Sequence, residues 1–416
     1  MFIGIGLGLI PQAMSGSSVD ALLGGNPLDL YGQAAFLFDV PRSNYRNGTS
    51  QVGDFSSLTG LTFTRASTGY AQTAAGVLIP FASGAPRITD KGLLIEGART
   101  NLCLQSGFAG GGSVPTSWTQ PSGAVGTSTP GVSSINPDVV AYTQSATAQR
   151  PYFQQAVTFA SNTTYTVSVY IEEVTGTLAL TDIMTAISLP TGCTGVGDSL
   201  GNLAAGQRRT IVYSGTYTGA AVGFRVGLGA SANATGTVRF SMPQVEAGAF
   251  PSSYIPTTTT SVTRPADVCS IAVSGLAYPV TMFAEFERVV DTGGNEAFIQ
   301  VNAGGNDQSS ISVNGSTDKM RTTVSAGGVT QADISSSASV ALNTVTKGAL
   351  RVATNDINQA LNGTLGTQDT SATAPATPTT IILGSNATPT PCFGYLRRAA
   401  IWSTAFSDAN LQGVTG

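Results

Sequence analysis

Glu285 and Glu287 stand two apart in the run VTMFAEFERV. On an extended strand that spacing puts both carboxylates on one face roughly 7 Å apart, close to the separation that glycosidase carboxylate pairs use. On the solvated face of an antiparallel sheet the same pair is ordinary surface charge, and Val289 stands where a third carboxylate of such a strand motif is expected. Two Gly-rich stretches offer hard oxygen atoms of the kind calcium prefers: DTGGNE with Asp291, Asn295 and Glu296, and NAGGNDQ with Asn302, Asn306 and Asp307. Their spacing matches no EF-hand loop, and turn geometry alone enriches strand connections in Asn, Asp and Gly. No cofactor is therefore expected, and calcium is the one ion these loops could take. Sugar recognition needs an aromatic platform near amides and carboxylates; Trp118, Tyr142 and Tyr152 are the candidates, with Phe153 beside the last.

Missing residue types narrow the chemistry further. The chain has no histidine, which removes the commonest general base, the Ser/His/Asp arrangement and the commonest zinc ligand together. Cys103, Cys193, Cys269 and Cys392 lie far apart without CxxC spacing, so they read as free buried thiols, not as a zinc cage or a redox motif. A net charge of -4 with no basic stripe argues against nucleic acid and against a membrane surface as partners. The glycines of FIGIGLGL mimic a dinucleotide fingerprint, but no helix follows them.

Any such residues must be positioned by strands. Of 416 residues only 10% are charged, 50 are Gly and 41% are hydrophobic, a composition that packs into many short strands joined by Gly, Ser and Asn turns. The length exceeds one core, so two or three domains are expected. The clearest strand is TYTVSVYIEEV, in which Tyr165, Val167, Val169 and Ile171 alternate with polar or small residues. Pro251, Pro256 and Pro265 around four consecutive Thr residues make a stiff exit, placing a boundary near Ala266. Beyond it, runs such as EAFIQVN, SSISVNG and TTIILGS have the spacing of a second sandwich, and Ser407 with Asp408 reads as the N-cap of a final helical turn.

The stretch from Leu61 to Ser106, LTFTRASTGYAQTAAGVLIPFASGAPRITDKGLLIEGARTNLCLQS, resembles a segment that recurs in bacteriophage tail-fibre and spike proteins. Thr62 to Thr68, Gly76 and Val77, Pro86 and Arg87, Gly92 to Glu96 and Ala98 to Leu102 carry the resemblance. The phrases FQQAVTFASNTTYTVSVYI and MPQVEAGAFPSSYIPTTTTSVTRPAD resemble the carbohydrate-binding-module jelly roll common in phage tail proteins, and the C-terminal GYLRRAAIWSTAFSDANLQGV resembles the end of concanavalin-like, laminin-G-like domains. In that jelly-roll pattern the Trp at the position of Trp118 belongs to the first strand, so core packing competes with a platform role. Read on the residues themselves, Arg65, Arg87, Arg99 and Glu96 are charges in a charge-poor segment, suited to salt bridges that tie the connector to its neighbour.

The resemblance implies an all-β chain with an N-terminal virion-docking arm over 1–60, a β connector over 61–100, a jelly roll over 101–266 and a concanavalin-like sandwich over 267–416. It implies docking on other virion structural proteins through the apolar start MFIGIGLGLI, with Phe2, Ile3, Ile5 and Leu7 as the docking side chains. The function it implies is that of a virion tail-fibre, head-fibre or spike subunit, made in the bacterial host cytoplasm. Such a subunit attaches to host-surface polysaccharide without catalysis, as a homo-oligomer that in such fibres is often a trimer. Two alternatives stay open: a purely structural tail-tip or capsid-decoration subunit, and a polysaccharide depolymerase using Glu285 and Glu287.

Overall fold

The computed structural model describes residues 28–110, 112–120, 128–146, 151–177, 193–197, 205–215, 221–228, 235–304, 306–387 and 390–416. They are almost entirely antiparallel β structure, as the strand-rich composition leads one to expect. Phe2, Ile3, Ile5 and Leu7 lie outside the described residues.

Two sheets build a large sandwich. One runs in the order Thr364–Leu365, Asp356–Leu361, Val345–Ala353, Val280–Arg288, Gly394–Trp402, Phe36–Asp39, Asn44–Asn47 and Ser50–Val52, and Gly92–Ile95 also pairs with Gly394–Trp402. The other runs Val329–Ser339, Lys319–Ala326, Gln308–Asn314, Asn295–Asn302, Thr380–Leu383, Val268–Ala272 and Leu61–Thr64. Between them lies one core in which Phe36, Phe38, Phe55, Met282, Phe286 and Phe298 are closed to solvent; Phe286 and Phe298 stack with ring centroids 3.8 Å apart. The outer face of the first sheet is covered by the C-terminal helix Asp408–Thr415 and by the residues around Leu30, packed over Phe283 and Trp402. Ser407 caps that helix, its hydroxyl accepting from the Asn410 amide at 3.3 Å.

The divisions expected at residues 60, 100 and 266 do not follow this strand pairing. Phe36–Asp39, from the expected docking arm, pairs with Gly394–Trp402, setting Phe38 opposite Ala399. Leu61–Thr64, from the expected connector, pairs with Val268–Ala272. The physical reason is burial: Phe36, Phe38 and Phe55 need a covered face, and the sheets formed by the C-terminal residues have open edges that need strands.

The chain leaves this sandwich at Arg99–Asn101 and returns at Val262–Arg264, and those two strands pair antiparallel with Thr263 opposite Thr100. The described residues between form a second, smaller sandwich inserted into the first. A sheet in the order Ser128–Val132, Val140–Ala146, Gly236–Ala247, Tyr165–Val174, Gln207–Gly215 and Cys193–Gly197 packs against the pair Tyr152–Thr158 and Ala221–Gly227. In Tyr165–Val174 the alternating Tyr165, Val167, Val169 and Ile171 point into the core. Thr166, Ser168 and Tyr170 on the other face are buried as well, because that face meets the junction with the large sandwich.

Candidate functional site

The junction is held by a closed knot of charge. Arg87 is fully buried and donates to Glu96 at 2.7 Å, to the Tyr70 carbonyl at 2.8 Å, to the Ser253 hydroxyl at 2.7 Å and to Asp267. Arg65 donates to the other Asp267 oxygen at 3.1 Å, and Arg264 lies 3.3 Å from Glu96 and donates to the Gly97 carbonyl at 3.0 Å. Glu96 in turn accepts the Ser253 amide at 2.7 Å, which fastens the small sandwich to the large one. Burial alone would raise the Glu96 pKa, but the Arg264 and Arg87 guanidiniums outweigh it and hold the carboxyl down at about 2. Arg65, Arg87 and Glu96 are thus structural, as their place in a charge-poor segment leads one to expect; Asp267, Ser253 and Arg264 complete the knot from more than 150 residues away in sequence.

Beside this knot, the two sandwiches leave a cleft of 680 Å³. The small sandwich contributes Tyr170 and Arg208 from adjacent strands and Phe250 from the loop before Pro251. The large one contributes Asp291, Asn343, Phe393 and Tyr395. Phe250 and Phe393 meet edge to face across the junction, centroids 5.0 Å apart at 75°. The Arg99 guanidinium sits 4.6 Å from the Phe250 centroid and 5.3 Å from that of Phe393, so a cation binds the two rings together. Gly248 permits this: its φ is +135°, and a Cβ there would come within 2.8 Å of Arg99.

The polar equipment of the cleft is partly engaged and partly open. Arg208 lies over the Tyr170 ring at 5.2 Å and donates to the Ser168 hydroxyl at 2.6 Å and to the Ser252 carbonyl. Burial raises the Tyr170 pKa, so its hydroxyl stays protonated. Lys91 stands 4.4 Å from the Tyr395 ring and 3.1 Å from Glu287. Leu342 and Asn343 sit exposed on the rim. Aromatic edges, an arginine and exposed amide groups facing one concavity are what a polar, ring-shaped ligand needs.

Of the residues singled out in the sequence, Asp291 and Glu96 line the cleft, and the aromatic and catalytic candidates fall elsewhere. Trp118 and Tyr142 are core side chains: Trp118 packs on Phe108 and Phe224, while Tyr142, fully buried, packs on Phe153 and spends its hydroxyl on the Gly112 carbonyl at 2.9 Å. A ring closed off on all sides offers no platform, which corrects the expectation for both. Tyr152 is half-buried on the short two-stranded sheet with the Arg225 guanidinium 5.1 Å over its ring, away from the cleft lining. Glu285 is clamped by Arg398 at 2.9 Å and Arg397 at 3.3 Å, so neither it nor the Lys91-paired Glu287 stands free.

In the first loop proposed for calcium, Arg288 takes the cation's place: it donates to Glu296 and Asp291 at 2.6 Å each and to Asp318. Asp307 in the second loop accepts the amides of Gly327 and Ala376. Among the described residues no group of three or more acidic or sulfur side chains is placed to hold a metal. Cys103, Cys269 and Cys392 are free and buried.

Most residues that line the cleft escaped sequence reading because they come from separate segments, each too short to show a pattern. The one local signal was Phe250, a lone aromatic in the turn-forming phrase AGAFPSS.

The fold defines the class: an all-β protein of antiparallel sandwiches. No protein-family model matches the chain, and no curated protein matches it. Among solved structures it is similar to the carbohydrate-binding module CBM40 of the IT-sialidase of Ruminococcus gnavus, with 14% identity and a TM-score of 0.28 over 33% of this chain and 82% of that one. The same module bound to α2,3 sialyllactose matches with 15% identity and a TM-score of 0.28, and bound to α2,6 sialyllactose with 14% and 0.29, at the same coverage. Scores this low do not carry a binding site from one chain to the other.

Proposed function

We propose that this chain is a non-catalytic adhesin of a phage or phage-like virion, a tail-fibre, head-fibre or spike subunit that holds host-surface glycans in the cleft between its sandwiches. The observation that carries the reading is the cleft itself, with Phe250, Phe393 and Tyr395 beside Arg208 and the exposed Asn343. The virion setting rests on the resemblance of the Leu61 to Ser106 stretch and of the phrase around Tyr254, the same residues that tie the two sandwiches together. A homo-oligomer, with a trimer expected, would multiply weak sites into firm attachment. The N-terminal residues would dock on other virion proteins.

Purified protein should compete with particle adsorption to host cells, and stripping the surface polysaccharide should abolish the competition. Asn343 has a φ of +54°, so Asn343→Gly removes the amide without backbone strain. That variant and Phe250→Ala are each expected to weaken cell binding about tenfold, the worth of one good polar or stacking contact. Unchanged adsorption at saturating protein would favour the architectural alternative. That alternative has its own support in the outermost strand Val329–Ser339, whose free edge carries a 63% exposed Val329 and could pair with another subunit.

Glu285→Gln and Glu287→Gln should leave reducing-end release from host polysaccharide at the buffer level, as in the unaltered protein. Release by the unaltered chain that disappears in either variant would instead establish a depolymerase.

A further inference from the structure

The outer face of the sheet containing Gln308–Asn314 and Lys319–Ala326 carries a second concavity, of 250 Å³, in a different part of the molecule from the junction. Its floor is hydroxyl: Ser310 and Thr323 share a hydrogen bond of 2.8 Å on neighbouring strands, and the Ser312 hydroxyl donates to the Arg321 carbonyl at 2.9 Å. Its wall is amide: Gln300 donates to Gln308 at 2.8 Å and accepts the Ala387 amide at 2.8 Å. Asn386 closes the side, and its Oδ1 is shut away from solvent with no hydrogen-bond partner among the described residues. The one ionisable lining group, Arg321, is held in a two-pronged pair with Asp333 at 2.7 and 2.6 Å. The space is thus electrically balanced. No lining side chain is aromatic, and Ala297 is the one purely apolar lining residue.

We propose that this pocket binds one neutral hexose unit of a glycan, as a sugar subsite on the large sandwich. At 250 Å³ the pocket has room for a single pyranose. Hydroxyls and amides serve as donor and acceptor at once, so they can match a ring of sugar hydroxyls. A turn of the Asn386 side chain would let its unpartnered Oδ1 accept from a sugar hydroxyl. Apolar ligands find no surface here, and an anion would meet an arginine already paired. Without an aromatic platform the site is weak by itself, which suits a surface that acts in many copies. The pocket shares no lining residue with the cleft.

The test uses the full chain with D-galactose, D-glucose, D-mannose and N-acetyl-D-glucosamine as separate probes in saturation-transfer difference NMR. At least one hexose is expected to receive saturation, with an affinity of roughly millimolar order. Thr323→Val and Asn386→Leu, each added to a chain whose cleft is disabled by Phe250→Ala and Asn343→Gly, should weaken it at least tenfold. Comparison of unfolding midpoints guards against loss of structure, and Asn386→Leu, outside the strands, carries the test if Thr323→Val does not fold. Absence of transfer to all four hexoses in the cleft-disabled chain, or binding there that persists in the pocket variants, would overturn the proposal. Transfer to the unaltered chain that vanishes in the cleft-disabled chain would place the sugar in the cleft alone.

Discussion

A fragment spanning residues 267–416 should fail to fold, although its sequence reads as a sandwich of its own. Removing the N-terminal residues takes Phe36, Phe38, Phe55, Leu58, Leu93 and Ile95 out of the core. At about 1.5–3 kcal/mol for each buried side chain, that loss is roughly 9–18 kcal/mol. The net stability of a domain is only about 5–15 kcal/mol. The loss also strips the partner strands from one edge of Gly394–Trp402 and from Val268–Ala272, leaving long open edges prone to pair with other chains. The fragment covering residues 99–264, by contrast, keeps the whole cluster around Phe108, Phe153 and Phe240, giving up only the junction contacts of Tyr70 and Leu78, and its ends are already paired through Arg99–Asn101 and Val262–Arg264. It should unfold in one cooperative transition by circular dichroism. A cooperative transition in 267–416, or none in 99–264, would contradict the nested topology.

Arg87→Met should cost about 3–5 kcal/mol in denaturant unfolding, since it leaves Glu96 and Asp267 buried without the cation that hydrogen-bonds both. Arg264→Met should cost less. The knot holds Arg65, Arg87 and Arg264 against Glu96 and Asp267, and Arg264 is the cation in surplus, with Nε and Nη1 lacking hydrogen-bond partners. Burial pushes the Arg264 pKa down, a sign that its charge is incompletely compensated.

The pH dependence follows with a definite sign. The Glu96 carboxyl is depressed from 4.5 to about 2, so its contribution is fully present above pH 4.5 and is lost as the pH falls towards 2. Glu172, buried but bonded to Ser133, Ser241, the Ser134 amide and Arg239, is depressed in the same direction and adds to the loss. Unfolding free energy measured between pH 5 and about 2 should therefore fall steeply. The Arg87→Met protein should show a shallower slope, because Glu96 then loses one of the two cations that hold its pKa down. Equal slopes in the two proteins would show that Arg87 does not govern Glu96.

Strand content, the absence of histidine chemistry, the structural role of Arg65, Arg87 and Glu96 and the cap at Ser407 were legible in the sequence. Each depends on local information: period-two alternation, residue types that are missing, charge in a charge-poor segment, a hydroxyl ahead of a helical turn. Tertiary structure alone decided which strands became neighbours. Alternation shows that Phe36 and Phe38 need a covered face, yet it does not show that the cover is formed with strands more than 200 residues away. The same limit hid the cleft, whose Tyr170, Arg208, Phe250, Asn343 and Phe393 become neighbours only because the small sandwich is inserted into the large one. Trp118 and Tyr142 show it from the other side. An aromatic residue on a strand looks alike in sequence whether its ring is packed in a core or open to a sugar, and packing decides between the two.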